Sequence, residues 1–373
     1  MSLVLNGTTG ITNLPSINSG QIGGRRNIVI NGEMKVAQRS TSETGLGAAG
    51  GYFTLDRWKM LEAAASAGRF TMAQVADGPA GIANCLKLTT TTADTSIAAG
   101  EYLILQTKFE GQDLQQLKKG TASAEQVTVS FYVKGNAAAL YVCELFDYDN
   151  SRSITQSFAV TTAWNRIELT FAADTSDPLD DDNAASLAID IWLHAGATYT
   201  GGTFAVNTWN DNTDANRYAV ADRTSIFDAT SRTLSITGVQ MEIGTQATDF
   251  ESRSFGEELA LCQRYFRSYT RSGGTLSFQG AAQGSTYALS YHTLTSPMRA
   301  QPTGAILGAT VSNWNFSVGG GSDMTANAMS IADISRDTYC IQLGTASSSV
   351  ASGTGGRIRT GTDGYGITLS AEL

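Results

Sequence analysis

Apolar and polar residues alternate in short runs along most of this chain. The clearest run covers residues 126–135, where every second position is apolar: Val127, Val129, Phe131 and Val133. Alternation of this kind predicts an antiparallel strand with one buried face. The same pattern returns in four further runs, at residues 138–146, 164–171, 187–193 and 234–243. Their spacing predicts a jelly-roll-like β-sandwich over residues 27–253.

In residues 254–268 the apolar residues recur at helical spacing instead of at every second position. Here Leu259, Cys262 and Phe266 fall on one face of a helix, and two glutamates occupy the first turn, where they complement the helix dipole. This predicts a short linking helix. Its apolar stripe suits either a three-fold axis between copies or packing on the chain's own sandwich.

Short β runs return in residues 269–373, separated by loops rich in glycine and serine. They predict a second, smaller β domain at the C-terminal end. Residues 1–26 are small and polar and predict an arm without a core of its own. The expected fold class is therefore all-β: a jelly-roll-like sandwich, a short linking helix and a second β domain.

Composition and charge narrow the function. Only 16% of the 373 residues are charged and 39 are glycine, which favours strands joined by many turns. A net charge of −9 argues against a nucleic-acid partner, because phosphate binding needs clustered Lys and Arg. The four cysteines lie far apart without a CxxC pair, which predicts free buried thiols rather than a zinc site or disulfides.

No catalytic, cofactor or membrane signal stands out. The chain lacks a GxSxG elbow, a phosphate-binding P-loop and a GxGxxG fingerprint, and neither His194 nor His292 has a second ligand at metal spacing. We therefore expect no enzyme activity and no cofactor. The N-terminus lacks the basic start and apolar run of a secretory signal, and no apolar stretch reaches about 20 residues, so membrane insertion is not expected.

An ordered series of motifs carries a resemblance to a known family. They are NIVINGEMKVAQR (27–39), YFTLDRW (52–58), VSFYVKG (129–135), ITGVQMEIG (236–244), TDFESR (248–253) and EELALCQRYF (257–266). Together they resemble the carbohydrate-binding-module-like tail-fibre and minor structural proteins of tailed bacteriophages, over roughly residues 27–270. Residues 296–302 and 369–373 also resemble a fibre-tip domain of such proteins.

The resemblance implies a virion protein that is assembled in the host cytoplasm. It would be a homotrimeric tail fibre or receptor-binding subunit that attaches to host surface polysaccharide or lipopolysaccharide. Residues 1–26 would dock onto other tail or baseplate proteins. The alternative is a purely structural virion component, such as a head fibre or a baseplate or tail decoration. No catalytic site is carried over, since the shared residues look structural.

Aromatic residues near polar loops are the candidates for sugar contact, because flat rings stack on sugar faces beside amide partners. In the first domain they are Trp209, Asn210 and Tyr218, and in the second Tyr291, Trp314 and Tyr365. Each could instead anchor a loop.

Acidic loops offer weak candidates for Ca²⁺, because closely spaced carboxylates are the hard oxygen ligands that this ion prefers. The candidates are Asp147, Asp149, Asp180 and Asp182. The alternatives are a solvated acidic loop or, through a carboxylate pair, glycosidic-bond cleavage.

Overall fold

The computed structural model describes residues 16–17, 20–21, 25–63, 66–284, 286–308, 310–319, 324–345 and 350–373. Most of the predicted arm of residues 1–26 therefore lies outside the described residues. Its described part includes one pairing, of β1 (Ser16–Ile17) with β2 (Gly20–Gln21). The chain divides into two compact units between Glu258 and Leu259.

The first unit is built from strands and short helical turns. The strands are β3 (Ser42–Leu46), β4 (Gly51–Tyr52), β5 (Lys59–Ala63), β6 (Arg69–Val75), β7 (Cys85–Thr92), β8 (Tyr102–Glu110), β9 (Val127–Gly135), β10 (Ala139–Asp147), β11 (Arg152–Val160), β12 (Asn165–Phe171), β13 (Ala185–Ala195), β14 (Asn210–Asp211) and β15 (Thr233–Ile243). One α-helical turn, α1 (Ala197–Thr200), and three 3₁₀ turns (Gly111–Asp113, Gln115–Leu117 and Asp214–Asn216) lie between them.

These strands form two antiparallel sheets. One has seven strands in the order β14-β11-β10-β13-β8-β5-β4, and the other has six in the order β12-β9-β15-β7-β6-β3. The apolar positions of the alternating runs form one buried core, which includes Val129, Phe131, Leu145, Ile189 and Leu193. All five predicted runs of this region are strands, so alternation identified both the elements and their buried faces.

The linking helix, α2 (Phe255–Gln263), is shorter than the predicted span of residues 254–268. Ser254 and Glu257 begin it with a capping box, because each side chain accepts from the other's backbone N–H. Phe266 lies beyond its end, in the next strand. Cys262 is fully buried, so this part of the helix face packs within the chain.

The second unit is also built from strands. They are β16 (Phe266–Thr270), β17 (Leu276–Gln283), β18 (Tyr287–Thr293), β19 (Thr303–Leu307), β20 (Trp314–Ser317), β21 (Met324–Ala332), β22 (Thr338–Thr345), β23 (Gly355–Thr360) and β24 (Gly366–Ser370), with a 3₁₀ turn at Val311–Asn313. Six of them close a barrel in the order β17-β18-β22-β21-β20-β23, and β16-β24-β19 form a separate sheet. Side chains such as Phe278, Trp314, Phe316, Ile341 and Ile358 fill its core.

The predicted all-β class, with its sandwich, short helix and second β region, is confirmed. The four cysteines, Cys85, Cys143, Cys262 and Cys340, are free and buried, as predicted. In the part of the chain that the structure describes, no helix combines the length and the apolar character needed to cross a bilayer.

The first motif of the sandwich forms a turn around one buried side chain. Asn31 is fully buried, with a left-handed φ of 59°. Its Nδ2 donates to the carbonyl oxygens of Val36 (2.8 Å) and Asp56 (2.9 Å), and its Oδ1 accepts from the Val36 N–H (2.9 Å). The Trp58 indole N–H donates to the Asn31 carbonyl at 3.1 Å. This one amide joins the two motifs at residues 27–39 and 52–58.

Replacing this amide tests its importance. Asn31→Ala should lower the free energy of unfolding of the first unit by roughly 3 kcal/mol or more, because buried backbone groups lose their partners and a left-handed backbone loses a tolerant residue. Asn31→Gly should cost less, since glycine keeps the backbone conformation. Urea denaturation measures both.

Asn136→Ala is the matched control, because Asn136 is exposed and also hydrogen-bonds backbone groups, those of Ser231 and Thr233. It should cost about 1 kcal/mol or less. Equal losses for Asn31→Ala and Asn136→Ala would contradict the role of the buried turn.

Candidate functional site

Three neighbouring strands of the seven-stranded sheet each carry a polar residue within an apolar run. Gln106 on β8 lies opposite Asp190 on β13, which lies opposite Glu144 on β10. Adjacent residues of each strand, such as Leu105 and Ile189, belong to the core. Because side chains alternate along a strand, the three polar groups form a row on the opposite side of the sheet.

The row is held together by direct hydrogen bonds. Gln106 Nε2 donates to Asp190 Oδ1 at 2.7 Å and to the Tyr148 hydroxyl at 2.9 Å. Gln106 Oε1 is buried, and no donor reaches it from the residues that the structure describes. A buried acceptor without a donor costs about 1–3 kcal/mol. This amide therefore has an unused capacity to accept a hydrogen bond.

Arg217 closes the row from the loop of residues 196–224. Its Nε donates to Glu144 Oε1 at 3.0 Å and its Nη2 to Glu144 Oε2 at 2.8 Å, and Nη2 also lies 3.5 Å from Asp190 Oδ2. The guanidinium lies between the rings of Trp192 and Phe146, 4.8 and 4.7 Å from their centroids. Planar stacking and paired donors suit arginine better than lysine.

The environment changes the acidity of two groups in this row. Burial and the neighbouring charge of Glu144 raise the pKa of Asp190 to about 7, against the lowering effect of Arg217. Burial also raises the pKa of Tyr148, so that its hydroxyl stays neutral and available for hydrogen bonding. Both oxygens of Glu144 are held by Arg217, and Oε2 also accepts from the Trp192 indole at 2.7 Å. Glu144 is thus an anchor of the loop.

Half-buried aromatic rings flank the row on both sides. Tyr102 and Tyr199 pack edge to face at 5.2 Å and both contact Trp192, at 5.9 and 5.4 Å. On the other side Phe146 and Tyr148 meet at 4.8 Å.

Basic groups lie on these and neighbouring rings. The Lys108 ammonium lies 4.4 Å from the Tyr148 centroid. Lys59 on β5 lies 5.5 Å from the ring of Tyr52 on the edge strand β4. We call this surface the Gln106 face; its members are Tyr52, Lys59, Tyr102, Gln106, Lys108, Glu144, Phe146, Tyr148, Asp190 and Trp192.

The predicted sugar contacts of the first unit fall in different places. Tyr218 is buried, and its hydroxyl donates to the Thr224 carbonyl at 2.7 Å, so its prediction as a surface sugar contact is wrong. Trp209 is half-buried, and its indole donates to the Ala172 carbonyl at 2.8 Å, which makes it a loop anchor. Asn210 is exposed on the edge strand β14, opposite Ser153, at the margin of the same sheet.

The predicted sugar contacts of the second unit also differ in how exposed they are. Trp314 is fully buried in the barrel core, so its prediction as a sugar contact is wrong. Tyr365 is half-buried, and its hydroxyl accepts from the Thr310 N–H at 3.1 Å, which fastens a loop. Tyr291 is 65% exposed on β18 and stays a candidate.

The weak Ca²⁺ candidates have other partners. Asp147 is buried and pairs with Lys119 at 2.6 Å, which replaces a cation there. Asp149 accepts from the Asp180 N–H at 2.9 Å, and Asp182 accepts from the Ala184 N–H at 2.8 Å, as in turns. Within the described ranges, no group of three or more His, Cys, Asp or Glu residues could hold a metal. The structure therefore gives the Ca²⁺ prediction no support.

The sequence contains a signal for the Gln106 face in the polar residues that break its apolar runs. Glu144 and Asp190 each interrupt an apolar run within a predicted strand, at a position that alternation assigns to the side opposite the core, and Gln106 directly follows the apolar residues 102–105. What the sequence alone does not show is the order β10-β13-β8, which brings these residues side by side.

Comparisons with known proteins give distant similarities of fold. No protein-family model matches the chain, and no curated protein matches it. A solved family 4 carbohydrate-binding module is 12% identical, covers 57% of this chain and 97% of its own, and has a TM-score of 0.30. The family 11 module of the Clostridium thermocellum cellulase Lic26A-Cel5E is 13% identical over 56% and 98% of the two chains, with a TM-score of 0.27.

A phage protein is also similar in part. The enzymatically active domain of tailspike protein 4 from bacteriophage CBA120 is 10% identical and has a TM-score of 0.30. The match covers 58% of this chain and 21% of the tailspike chain. Since these similarities are distant, we infer function from the side chains of the Gln106 face.

Replacing Arg217 tests whether its ion pair with Glu144 stabilises the first unit. Arg217→Met should destabilise the first unit by about 3–5 kcal/mol, because it leaves the Glu144 carboxylate buried without its partner. Adding Glu144→Gln to this variant should recover part of the loss, since the unpaired charge of Glu144 is then removed. Urea denaturation followed by tryptophan fluorescence gives both values.

Arg223→Ala, in the same loop but exposed, is the control and should stay within about 0.5 kcal/mol of the wild type. A loss below about 1 kcal/mol for Arg217→Met would show that the ion pair does not hold the loop.

The raised pKa of Asp190 predicts a specific pH dependence of stability. The unfolded carboxyl titrates near 3.9, so between about pH 4 and 7 the folded chain keeps a proton that the unfolded chain has lost. The stabilisation from this group is complete below about pH 4 and is lost as the pH rises through about 7. Asp190→Asn, which mimics the protonated acid, should therefore gain thermal stability relative to the wild type as the pH rises from 4 to 8.

Thermal unfolding across this pH range measures the difference, with the exposed Asp181→Asn as control. A constant difference between wild type and Asp190→Asn at every pH would refute the proton uptake by Asp190.

Proposed function

We propose that this chain is a non-enzymatic, glycan-binding virion subunit of a tailed phage, a tail fibre or receptor-binding protein that attaches to host surface polysaccharide or lipopolysaccharide. The observation that carries the proposal is the Gln106 face. It places half-buried tyrosine rings and two partly exposed lysines on one side of a sheet, over the buried Gln106 row that fixes their positions. Rings stack on the apolar faces of sugars, and ammonium groups bind their hydroxyls.

The contacts of the two carboxylates on this face support binding without hydrolysis. Glycosidases need one acid that reaches the leaving oxygen and a second carboxylate that is free to attack or to activate water. Both oxygens of Glu144 are engaged by Arg217, and Asp190 accepts from Gln106. The carboxyl pair of this face is therefore committed to its own structure.

The assignment to a virion rests on the motif series described above. The proposal also includes the assembly and the docking that this resemblance implies. The chain would assemble as a homotrimer, and residues 1–26 would dock onto tail or baseplate proteins. Light scattering of the purified chain tests the trimer, and mass spectrometry of purified particles tests the virion location. A purely structural virion component is the alternative, and it predicts no glycan binding by the folded chain.

Glycan binding is tested on an array of bacterial surface polysaccharides. The wild-type chain should bind at least one of them, and Tyr148→Ala should weaken that binding at least tenfold because a stacking ring is lost. Tyr148→Phe keeps the ring and should retain most of the affinity. Incubation with the bound polysaccharide should release no reducing ends.

Tyr132→Ala is the matched control, since Tyr132 is a half-buried tyrosine on β9 of the six-stranded sheet. It should bind like the wild type. If the folded chain binds nothing on the array, the result favours the purely structural alternative. Equal losses of glycan affinity for Tyr132→Ala and Tyr148→Ala would show that the Gln106 face is not the binding site.

A further inference from the structure

A cavity of about 320 Å³ lies in the first unit, where the segment before β8 meets the loop before β15. Its lining includes Ile97, Tyr218, Asp222, Arg223, Thr224 and Ser225. None of its lining residues belongs to the Gln106 face. Ligand pockets in proteins begin at about 300 Å³, so this cavity has room for one small ligand or for one unit of a polymer.

The wall of the cavity at Thr224 is fixed by hydrogen bonds within the chain. The Thr224 N–H donates to the Leu140 carbonyl at 3.0 Å, and Thr224 Oγ1 accepts from the Leu140 N–H at 3.1 Å. The Thr224 carbonyl accepts from the Tyr218 hydroxyl at 2.7 Å. Two positions further on, the Ile226 N–H donates to the Leu193 carbonyl at 2.8 Å. The cavity is therefore preformed, and a ligand that enters it has few protein groups to order.

A buried histidine fixes the proton of the Ser225 hydroxyl. The Ser225 oxygen lies 2.7 Å from His194 Nδ1, and His194 Nε2 lies 3.2 Å from Glu101 Oε2. Burial lowers the pKa of His194, so its ring is neutral at pH 7 and carries one proton. The Glu101 carboxylate can only accept, which places that proton on Nε2. His194 Nδ1 is then the acceptor of the Ser225 proton.

Ser225 therefore offers a ligand an acceptor and no donor. A hydroxyl oxygen has two lone pairs. The Phe227 N–H donates to the Ser225 oxygen at 3.0 Å and occupies one of them. Ser225 is partly exposed and lines the cavity, so its second lone pair is available to a hydrogen-bond donor of a ligand.

Two charged side chains of the lining keep most of their hydrogen-bonding capacity. Asp222 and Arg223 are both exposed. Among the residues that the structure describes, none pairs with the Asp222 carboxylate, and Arg223 makes one hydrogen bond, from Nη1 to the Val220 carbonyl at 3.2 Å. Ile97 adds an apolar side chain that is 40% exposed. The cavity thus combines acceptors, donors and one apolar contact.

We propose that this cavity binds a single neutral sugar residue, at the end or at a branch of a host glycan, through adjacent hydroxyl groups. The Asp222 carboxylate and the Ser225 oxygen accept hydroxyl protons, and the Arg223 guanidinium donates to hydroxyl oxygens. Ile97 contacts the apolar C–H face of the sugar ring. The site adds a second place of glycan binding to the first unit and uses none of the groups of the Gln106 face.

The lining favours a neutral sugar over other small ligands. The charges of Asp222 and Arg223 oppose each other, so an anionic sugar or a phosphate gains little net attraction from the pair. A nucleobase needs an open aromatic ring for stacking, but Tyr218 is 1% exposed and its ring is stacked on Trp192. The cavity therefore suits a ligand that is rich in hydroxyl groups.

The test measures the binding of simple methyl glycosides by ligand-detected NMR: methyl α-mannoside, methyl α-glucoside, methyl β-galactoside and methyl α-rhamnoside. The full chain should bind at least one of them with a dissociation constant in the millimolar range, because one sugar residue makes few contacts. The same glycoside with two adjacent hydroxyls methylated should bind about tenfold more weakly, since the donors to Asp222 and Ser225 are lost.

Asp222→Asn and Arg223→Gln should each lower the affinity for that glycoside about tenfold, because each removes a charge-assisted hydrogen bond. Their melting temperatures should match that of the wild type, since both residues are exposed and asparagine tolerates the left-handed φ of 56° at position 222. Asp181→Asn and Lys87→Gln are the matched controls. They remove one charge of each sign elsewhere in the first unit and should bind like the wild type.

The proposal is overturned if the folded chain binds none of the glycosides, if methylation of adjacent hydroxyls leaves the affinity unchanged, or if the controls lose as much affinity as Asp222→Asn. Tyr148→Ala should bind the glycoside like the wild type. If it loses that binding, the sugar lies on the Gln106 face and the cavity is not its site. The array result for Tyr148→Ala does not depend on the cavity, so either site can fail without the other.

Discussion

The first unit depends on the Arg217 guanidinium, which compensates the charge of two buried carboxylates. Glu144 and Asp190 lie opposite each other on adjacent strands, and both are almost fully buried. Carboxylates in this setting are costly unless a cation and hydrogen bonds compensate them. Arg217 provides that compensation from a loop that is distant in sequence, so the loop, the sheet and the rings around the guanidinium hold one another in place.

The two units organise polar groups in contrasting ways. In the first, charged groups are gathered, partly buried and neutralised by one another around Gln106. In the second, the barrel strands avoid charge except for two arginines that point away from the core. A buried network of this kind gives defined geometry at a cost in stability, whereas an exposed pair costs little and responds to salt.

Sequence patterns identified the fold better than they identified the site. Strands with large apolar side chains at alternate positions, such as residues 126–135, can be predicted from the pattern, but β21 cannot, because small residues such as Ala326 occupy its inward positions. Trp314 was misplaced because its sequence neighbours Asn313 and Asn315 are polar, although alternation turns its own ring inward. The contacts of Arg217 could not be predicted, since they depend on which strands become neighbours.

The burial of two cysteine thiols in the first unit has a consequence for how they respond to oxidants. Burial raises the pKa of the Cys85 thiol to about 11 and that of Cys143 well above its usual range. Almost no thiolate forms at neutral pH, and the thiolate is the species that peroxides and disulfides attack. At neutral pH the Cys85 and Cys143 thiols are therefore protected from oxidation by both their burial and their low acidity, and the sandwich keeps two sulfur atoms in its core as inert packing groups.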